Sequence, residues 1–346
     1  MAKPKKVRTN VTLRDIAEAS GVSMMTVSNV INGRTNTVGE KTRLRVEREV
    51  KRLNYRPNVN ARNLRVSSSQ SIGLVVSDVA PAFLSDPFIS QLVSGMSNYL
   101  SSVDHSLDIQ GVVPQQFEQA NILKRAGNDA LCAILCGPKS LRKRHVDFLK
   151  KIGQPTVIFQ EPIQVRRHDI LIIRQDDKGG GSEVGNHLIG KNVRRVVFLK
   201  PASEWPAIEQ REHGLRTALE SGKKAIDFRV VVAPSEGYSD SREAARQLLQ
   251  KKTSPDAIVA ATDSMAIAAM HACDDNGMDI PGDISVVGFN GFEAWRYATP
   301  TLTTIRSPAY EMGQRAGEEL IKRLRNGVFE RKSILLPTEL ELGEST

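Results

Sequence analysis

The segment from Val11 to Ile31 constrains the fold of this chain more than any other, because it holds start and stop signals for two short helices in succession. Thr12 precedes an apolar-periodic run and has Asp15 three positions later, the spacing of a helix N-terminal capping box. Gly21 stands where the chain has to turn sharply, and glycine tolerates the positive φ of such a turn. Ser23 supplies the cap of a second helix. The segment therefore predicts a helix-turn-helix.

The apolar spacing of both helices separates a buried face from an exposed one. Positions i, i+3 and i+4 predict that these side chains face inward: Leu13, Ile16, Ala17, Val27, Val30 and Ile31. The opposite face of the second helix then carries Met24, Met25, Ser28 and Asn29. We expect this face to enter the major groove of DNA.

Positive charge is concentrated at the N-terminal end of the chain. Residues 1–66 contain 15 Lys and Arg against 5 Asp and Glu, a net charge of +10, whereas the whole chain carries +9. This asymmetry suits a partner with a phosphate backbone, because basic side chains bind DNA by releasing its counterions. A solvated basic face is the alternative interpretation, and for residues 3–8 a solubilising tail competes with a DNA-binding arm.

From Ser71 onward, short apolar runs alternate with amphipathic stretches. A first series predicts strands near 71–78, 107–113, 131–136 and 156–160, with helices near 88–101, 116–127 and 140–152. A second series predicts strands near 170–175, 194–200, 228–232, 256–261 and 284–289, with helices near 178–190, 206–221, 239–252 and 263–277. Repeated β-α units indicate two halves with parallel sheets. Ligands bind outside the carboxyl ends of parallel strands, so two facing sheets would clamp a small molecule.

At both ends of the basic segment, the chain resembles the LacI family of bacterial transcription regulators. DIAEASGVSMMTVSNVING at 15–33 is similar to the family's DVAxxAGVSxxTVSRVLNG motif. The family's YxPNxxARxL hinge segment is matched by Tyr55, Pro57, Asn58, Ala61, Arg62 and Leu64.

The resemblance implies an α/β core of two Rossmann-like subdomains, of the periplasmic-binding-protein-like type I, behind an N-terminal all-α helix-turn-helix headpiece. The expected boundaries are a DNA-binding domain over 1–57, a hinge helix and linker over 58–70, and an effector-binding core over 71–346. Within this core, the family topology implies an N-subdomain of about 71–172 and 306–333, and a C-subdomain of about 173–305 and 334–346.

The DNA contacts follow from the two matched motifs. Met24, Met25 and Asn29 are the candidates for base contacts, although the methionines could instead pack within the domain. The residues expected to contact phosphates are Thr12, Ser23, Thr26, Ser28 and Asn32. The hinge residues that the resemblance places in the minor groove are Ala61, Arg62, Leu64 and Arg65. Gly39 departs from the family, which usually has a capping side chain before the third helix, so this cap is expected to be weak.

The resemblance also implies a set of effector contacts in the core. They are Phe88, Gln160, Arg211, Tyr238, Thr262, Asp263 and Asn290. Arg211 matches the arginine that grips hydroxyls or a carboxylate of the effector, and its five donors suit vicinal hydroxyls. A surface role for Arg211, helix capping by Asp263, and core or rim packing by Tyr238 are the alternatives. Asn290 stands where relatives more often have aspartate.

No catalytic or metal-binding constellation emerges from the sequence. GNHLIGKN at 185–192 approaches a Walker A motif, but Asn192 replaces the hydroxyl residue and the segment falls within a predicted helix. The GGGS run before it, at 179–182, is interpreted as a flexible helix start. Three cysteines without metal-ligand spacing and six scattered histidines complete the inventory. We therefore expect no enzyme activity, no cofactor and no metal site.

The predicted function is a sequence-specific DNA-binding regulator, a repressor of carbohydrate utilisation genes released from double-stranded operator DNA by a sugar or sugar-derived effector. A corepressor-dependent repressor is the alternative within this class, and a sugar-binding protein or an enzyme with a fused headpiece are alternatives outside it. We expect a homodimer that does not form a tetramer of the LacI kind, because no leucine-heptad helix is present near Thr346. A cytoplasmic protein without membrane segments is expected.

Leu64→Ala tests the hinge hypothesis. An apolar wedge between base steps stabilises bent DNA, so its removal should weaken operator binding while effector binding stays intact. Titrating the variant with operator and with effector separately checks both parts, and an unchanged operator affinity would refute the wedge role.

Overall fold

The computed structural model describes residues 11–34, 36, 38–55, 69–79, 82–125, 127–165, 169–222, 224–251 and 254–346. The chain divides into two units, Met1–Ser68 and Ser69–Thr346, referred to below as the headpiece and the core. Within these ranges, no helix has both the length and the apolar character needed to cross a membrane.

Three helices form the described part of the headpiece: α1 (Leu13–Ser20), α2 (Met24–Ile31) and α3 (Glu40–Arg52). The predicted capping box is confirmed, because the Asp15 amide donates to Thr12 Oγ1 at 3.3 Å and the Thr12 amide donates to Asp15 Oδ2 at 2.7 Å. Gly21 ends α1 with φ 62°, in the left-handed region that the turn was expected to need. Gly39 precedes α3 without a side-chain hydrogen bond, as its lack of a side chain predicted.

A small apolar cluster holds the three headpiece helices together. Its buried members are Ile16, Ala17, Val27, Val30, Val46 and Tyr55. The inward-facing positions of α1 and α2 thus follow the periodicity of the sequence, with Leu13 and Ile31 partly buried at the edge of the cluster.

The core contains two six-stranded sheets and the helices that cover them. In chain order the strands are β1 (Ser71–Ser77), β2 (Ser106–Val112), β3 (Ala130–Ile134), β4 (Thr156–Phe159), β5 (Ile170–Gln175), β6 (Arg195–Pro201), β7 (Asp227–Ala233), β8 (Ala257–Ala260), β9 (Ser285–Asn290), β10 (Thr303–Arg306), β11 (Ser333–Leu336) and β12 (Glu339–Glu341). The longer helices are α4 (Pro87–Ser102), α5 (Lys139–Ile152), α6 (Asp177–Gly190), α7 (Pro206–Ser221), α8 (Tyr238–Leu249), α9 (Asp263–Asp275) and α10 (Ala309–Asn326).

Strand order defines two subdomains. The first sheet runs β11-β5-β4-β3-β1-β2, and all of its strand pairs are parallel. The second runs β12-β10-β9-β8-β6-β7 and is parallel except for the β10–β12 pair. The chain passes to the second subdomain after Gln175, returns after Arg306 and leaves again after Leu336, so three crossovers connect the two.

Two assignments from the sequence are wrong. The 170–175 strand was counted with the second series, but it pairs with β4 and β11 in the first sheet. Hydrophobicity could not reveal this, because a fully buried parallel strand has the same apolar pattern in either sheet. The helix expected over 116–127 is broken into a 3-10 segment at Pro114–Gln119 and a single turn at Asn121–Lys124, since Ala120 between them has a ψ of 130°, outside the helical region.

The apolar cysteines of the core behave as small hydrophobes. Cys132, Cys136 and Cys273 are all buried and free, as the apolar run around the first two predicted. Burial raises the pKa of the Cys136 thiol to about 12, which keeps it protonated near neutral pH.

Two glycines let α6 and α7 cross with their backbones in contact. A Cβ at Gly214 would lie 2.0 Å from the carbonyl oxygen of Lys178, and one at Gly181 would lie 2.3 Å from that of Arg211. Neither oxygen belongs to a flexible side chain, so a larger residue would force the helices apart. The glycine run near 180 is therefore a packing surface, which the interpretation as a flexible helix start missed.

Gly214→Ala should lower the free energy of unfolding by about 1–3 kcal/mol, because the added methyl group overpacks the crossing. Gly190→Ala is the matched control, since Gly190 lies in α6 with no atom near its missing Cβ. Denaturation with urea measures both. An equal loss in the two variants would contradict the close-packing argument.

Candidate effector cavity and DNA-contact surface

The exposed face of α2 carries the predicted base-contact residues. Met24 and Met25 are 55% and 69% exposed, although large apolar side chains usually pack inside a domain. Asn29 is half-buried on the same helix. Packing within the described headpiece therefore does not account for the methionines, and the alternative noted above is not supported.

The predicted phosphate-contact residues of the headpiece also serve its helix ends. Ser23 Oγ accepts a hydrogen bond from the Thr26 amide at 3.1 Å, and Thr12 Oγ1 belongs to the capping box of α1. Asn32 Nδ2 donates to the carbonyl oxygen of Ser28 at 2.7 Å, so it stabilises the end of α2. The proposed minor-groove residues Ala61, Arg62, Leu64 and Arg65 lie outside the described residues, as does Pro57.

A cavity of about 60 Å³ lies between the two subdomains of the core. Each subdomain contributes residues that follow the carboxyl ends of its strands, as expected for open parallel sheets. The lining consists of Asp86, Phe88, Ile89, Ile134, Leu135, Gln160, Trp205, Pro206, Ala207, Ile208, Arg211, Glu236, Thr262 and Asn290.

Arg211 is the centre of the hydrogen-bond network at this cavity. The residue is 3% exposed, and its guanidinium donates to Asp177 Oδ1 at 2.8 Å, to the carbonyl oxygen of Ala261 at 2.6 Å and to Asn290 Oδ1 at 2.9 Å. It also stacks 4.5 Å from the centre of the Phe289 ring. A surface role for Arg211 is thereby excluded.

The network continues from Asp177 into the first subdomain. Gln175 Nε2 donates to Asp177 Oδ1 at 2.7 Å, and Gln160 Nε2 donates to Asp177 Oδ2 at 3.1 Å. Gln160 and Asn290 both have positive φ, 61° and 109°, a conformation that side-chain-bearing residues rarely adopt. Strained backbone of this kind is concentrated at functional sites, where the surrounding contacts hold it in place.

Five of the seven predicted effector contacts line the cavity together: Phe88, Gln160, Arg211, Thr262 and Asn290. Thr262 also caps α9. Tyr238 is not among the lining residues; it is 45% exposed, and its hydroxyl forms a hydrogen bond with His271 Nδ1 at 2.7 Å. Asp263 is also outside the lining, since its carboxylate turns into the second sheet and accepts a hydrogen bond from Thr304 Oγ1.

Three polar or aromatic residues of the lining, Asp86, Trp205 and Glu236, were not among the effector contacts predicted from the sequence. Trp205 stands at the start of α7 without a motif around it, and Glu236 follows β7 in an ordinary loop. Asp86 directly precedes α4, where its carboxylate accepts a hydrogen bond from the Phe88 amide at 2.8 Å. The proline after Trp205 is the one available signal, because it marks a helix start beside the cavity.

Two carboxyl groups in the cavity lining have raised pKa values. Burial, together with the nearby charge of Asp86, raises the pKa of Glu236 to about 7. Burial and the charge of Asp78 also raise the pKa of Asp86. Arg211 opposes both shifts, but its own charge is already matched by Asp177 at 2.8 Å. The lining therefore holds more acidic groups than basic ones, and Glu236 is only partly ionised near neutral pH.

Comparison with known proteins gives the same two-part organisation. A family model described as "Bacterial regulatory proteins, lacI family" matches residues 12–58, and a "Periplasmic binding protein-like domain" model matches residues 186–346. Catabolite control protein A of Priestia megaterium is 26% identical over 338 residues, covering 97% of this chain and 99% of the relative. The chain belongs to the LacI family. Its helix-turn-helix headpiece and two-sheet core make it a DNA-binding transcription regulator.

Solved structures of family members share the fold over nearly the whole chain. The Lac repressor dimer bound to operator and the anti-inducer ONPF has a TM-score of 0.84 at 25% identity, with coverage of 98% of this chain and 99% of that one. The complex of the transcriptional regulator CelR with cellobiose has a TM-score of 0.70 at 26% identity and covers 97% and 100% of the two chains.

Asp263→Asn tests whether this carboxyl is structural. Burial raises the pKa of Asp263 to about 7, so the protonated form is stable in the fold and ionisation is costly. The protonated carboxyl stabilises the fold fully below its pKa in the unfolded chain, which is near 4, and this stabilisation is lost as pH rises through 7. Relative to the variant, the wild type should lose about 2–4 kcal/mol between pH 5 and 8. Chemical denaturation across this range measures it, and a pH-independent difference would contradict it.

Proposed function

We propose that this regulator is a homodimeric repressor that binds an operator through α2 and the hinge, and that an uncharged, hydroxyl-rich small molecule in the core cavity controls its affinity for DNA. The observation that carries the proposal is the cavity itself, in which hydrogen-bonding side chains from both sheets converge beside Trp205. A sugar needs such donors and acceptors for its hydroxyls, and an aromatic ring suits its apolar face.

The charge of the lining favours an uncharged effector over a phosphorylated one. Asp86 and Glu236 face the cavity, whereas its cation, Arg211, is paired with Asp177. An added phosphate would bring about two more negative charges close to these carboxyls. Neutral hydroxyl groups instead donate to carboxylates and accept from amides, so Gln160 and Asn290 complement them.

The position of the cavity couples effector binding to the arrangement of the subdomains. Its lining comes from both of them, so a bound effector contacts both at once. An effector that fits one arrangement better than another therefore favours that arrangement. By linkage, an effector that changes this arrangement changes operator affinity, and DNA changes effector affinity by the same factor.

We infer that the cavity binds its effector without catalysis. We also infer that the protein acts in the cytoplasm, because the DNA that the headpiece binds is located there. The named relatives are regulators of this kind. Release from the operator by the effector is the proposed sign of regulation. Purified protein that turned over a candidate sugar would refute the non-catalytic role.

A thermal-shift panel of D-galactose, D-ribose, cellobiose and the phosphate esters of the two monosaccharides tests the effector class. At least one neutral sugar should raise Tm, because a ligand that binds only the folded core stabilises it. The sugar that does so should release the protein from an operator obtained by oligonucleotide selection. Stabilisation by the phosphates alone would overturn the proposed class, and tighter DNA binding would reverse the proposed sign.

At about pH 8.5, where Glu236 is ionised, Glu236→Gln should improve the affinity for phosphorylated sugar relative to neutral sugar by about tenfold, because it removes a charge repulsion of roughly 1.4 kcal/mol. Calorimetric titration measures the ratio. Glu220→Gln, an exposed neutralisation on α7, is the control and should leave the ratio unchanged. A ratio that stays the same in Glu236→Gln would show that the cavity charge does not select the effector.

In light of its contacts, Arg211 is a poor position for an alanine test of effector binding. Arg211→Ala would leave the Asp177 carboxylate buried without its cation, which typically costs 3–5 kcal/mol. The variant would therefore combine loss of binding with loss of folding.

A further inference from the structure

An ion pair distinct from Arg211–Asp177 joins the two subdomains beside the cavity. Arg142 on α5 belongs to the first subdomain, and its side chain is 1% exposed. Its Nη1 lies 3.1 Å from Glu209 Oε1 and its Nη2 lies 3.4 Å from Oε2 of the same residue. Glu209 is on α7 of the second subdomain, so this two-pronged contact crosses the cleft.

The first subdomain holds Arg142 in place independently of Glu209. Arg142 Nε donates to Glu161 Oε2 at 3.1 Å, and Nη1 donates to the carbonyl oxygen of Gly137 at 2.6 Å. A guanidinium fixed in this way presents a rigid fork to the opposite subdomain, so little side-chain freedom is lost when Glu209 arrives.

The start of α7 makes further contacts across the same cleft. The Gly137 amide donates to the carbonyl oxygen of Glu204 at 2.9 Å. Trp205 packs against the apolar clusters of both subdomains. Because residues 205–208 also line the cavity, the segment Glu204–Glu209 forms a wall of the cavity that the second subdomain supplies.

The charges around Arg142 allow this contact to break and form again. When Glu209 leaves, Arg142 keeps Glu161 as its partner, so no unpaired charge remains buried in the first subdomain. Glu209 is 39% exposed and can be hydrated on leaving. Both arrangements are thus electrostatically acceptable, which a contact between moving parts requires.

We propose that Arg142 and Glu209 form an interdomain latch that positions the Glu204–Glu209 wall and stabilises the closed cleft. Both are positioning residues, since neither lines the cavity. The latch extends the proposed function, because an effector that requires closure would bind more weakly without it. Its existence is independent of which effector or operator the protein recognises.

Glu209→Gln tests the latch in the full-length protein without effector or DNA. Hydrogen exchange detected by mass spectrometry follows the peptide that contains Gly137, whose amide bonds across the cleft. Exchange there should become about three- to tenfold faster, because loss of a charged, partly exposed hydrogen bond raises the open population by this factor. Thermal unfolding followed by circular dichroism should give nearly the same Tm for Glu209→Gln and the wild type.

Glu212→Gln is the matched control on the same helix. Glu212 pairs with Lys200 at 2.6 Å and Arg216 at 3.0 Å, both within the second subdomain. This variant loses ion pairs but none across the cleft, so exchange at Gly137 should not change. Unaltered exchange in Glu209→Gln, or equal acceleration in both variants, would overturn the latch. Because the hydrogen-exchange measurement needs no sugar, its outcome does not depend on whether the proposed effector class is correct.

Discussion

The buried pair between Arg211 and Asp177 is the interaction on which the core's functional architecture depends. A carboxylate and a guanidinium can remain buried only when each satisfies the other and their remaining donors and acceptors are bonded. Here the surrounding acceptors and donors lie in β5 and β9 or directly after β4 and β8, so both sheets have to be correctly placed for the pair to be stable. The pair therefore links the helices that carry it to the strand ends that form the cavity.

Close helix packing makes this pair possible. Arg211 lies on α7 and Asp177 at the start of α6, and the backbones of the two helices touch at Gly181 and Gly214. A wider crossing would draw the guanidinium away from the carboxylate. Close packing of the two helices is thus also an electrostatic requirement, since the separation of the helices sets the distance of 2.8 Å between the charged groups.

The two ion pairs at the cavity have complementary roles. Arg211 and Asp177 are buried within the network that supports the lining, whereas Arg142 and Glu209 face each other across the cleft. In the first pair, loss of either partner leaves an uncompensated buried charge. In the second, Arg142 retains Glu161, so separation is tolerated. A ligand-controlled regulator needs both kinds of contact, one that keeps the site intact and one that yields when the site opens.

The sequence by itself determined what depends on neighbouring residues. Capping at Thr12 and Ser23, the left-handed turn at Gly21 and the apolar periodicity of α1 and α2 are local properties, so these two helices and the turn between them could be predicted from the sequence. The β-α alternation likewise predicted most of the core. Tertiary structure alone decided that β5 joins the first sheet, that Asp263 turns away from the cavity, and that Trp205 and Glu236 line it. These outcomes depend on contacts between residues far apart in the chain, and such contacts leave no periodic pattern in the sequence around them.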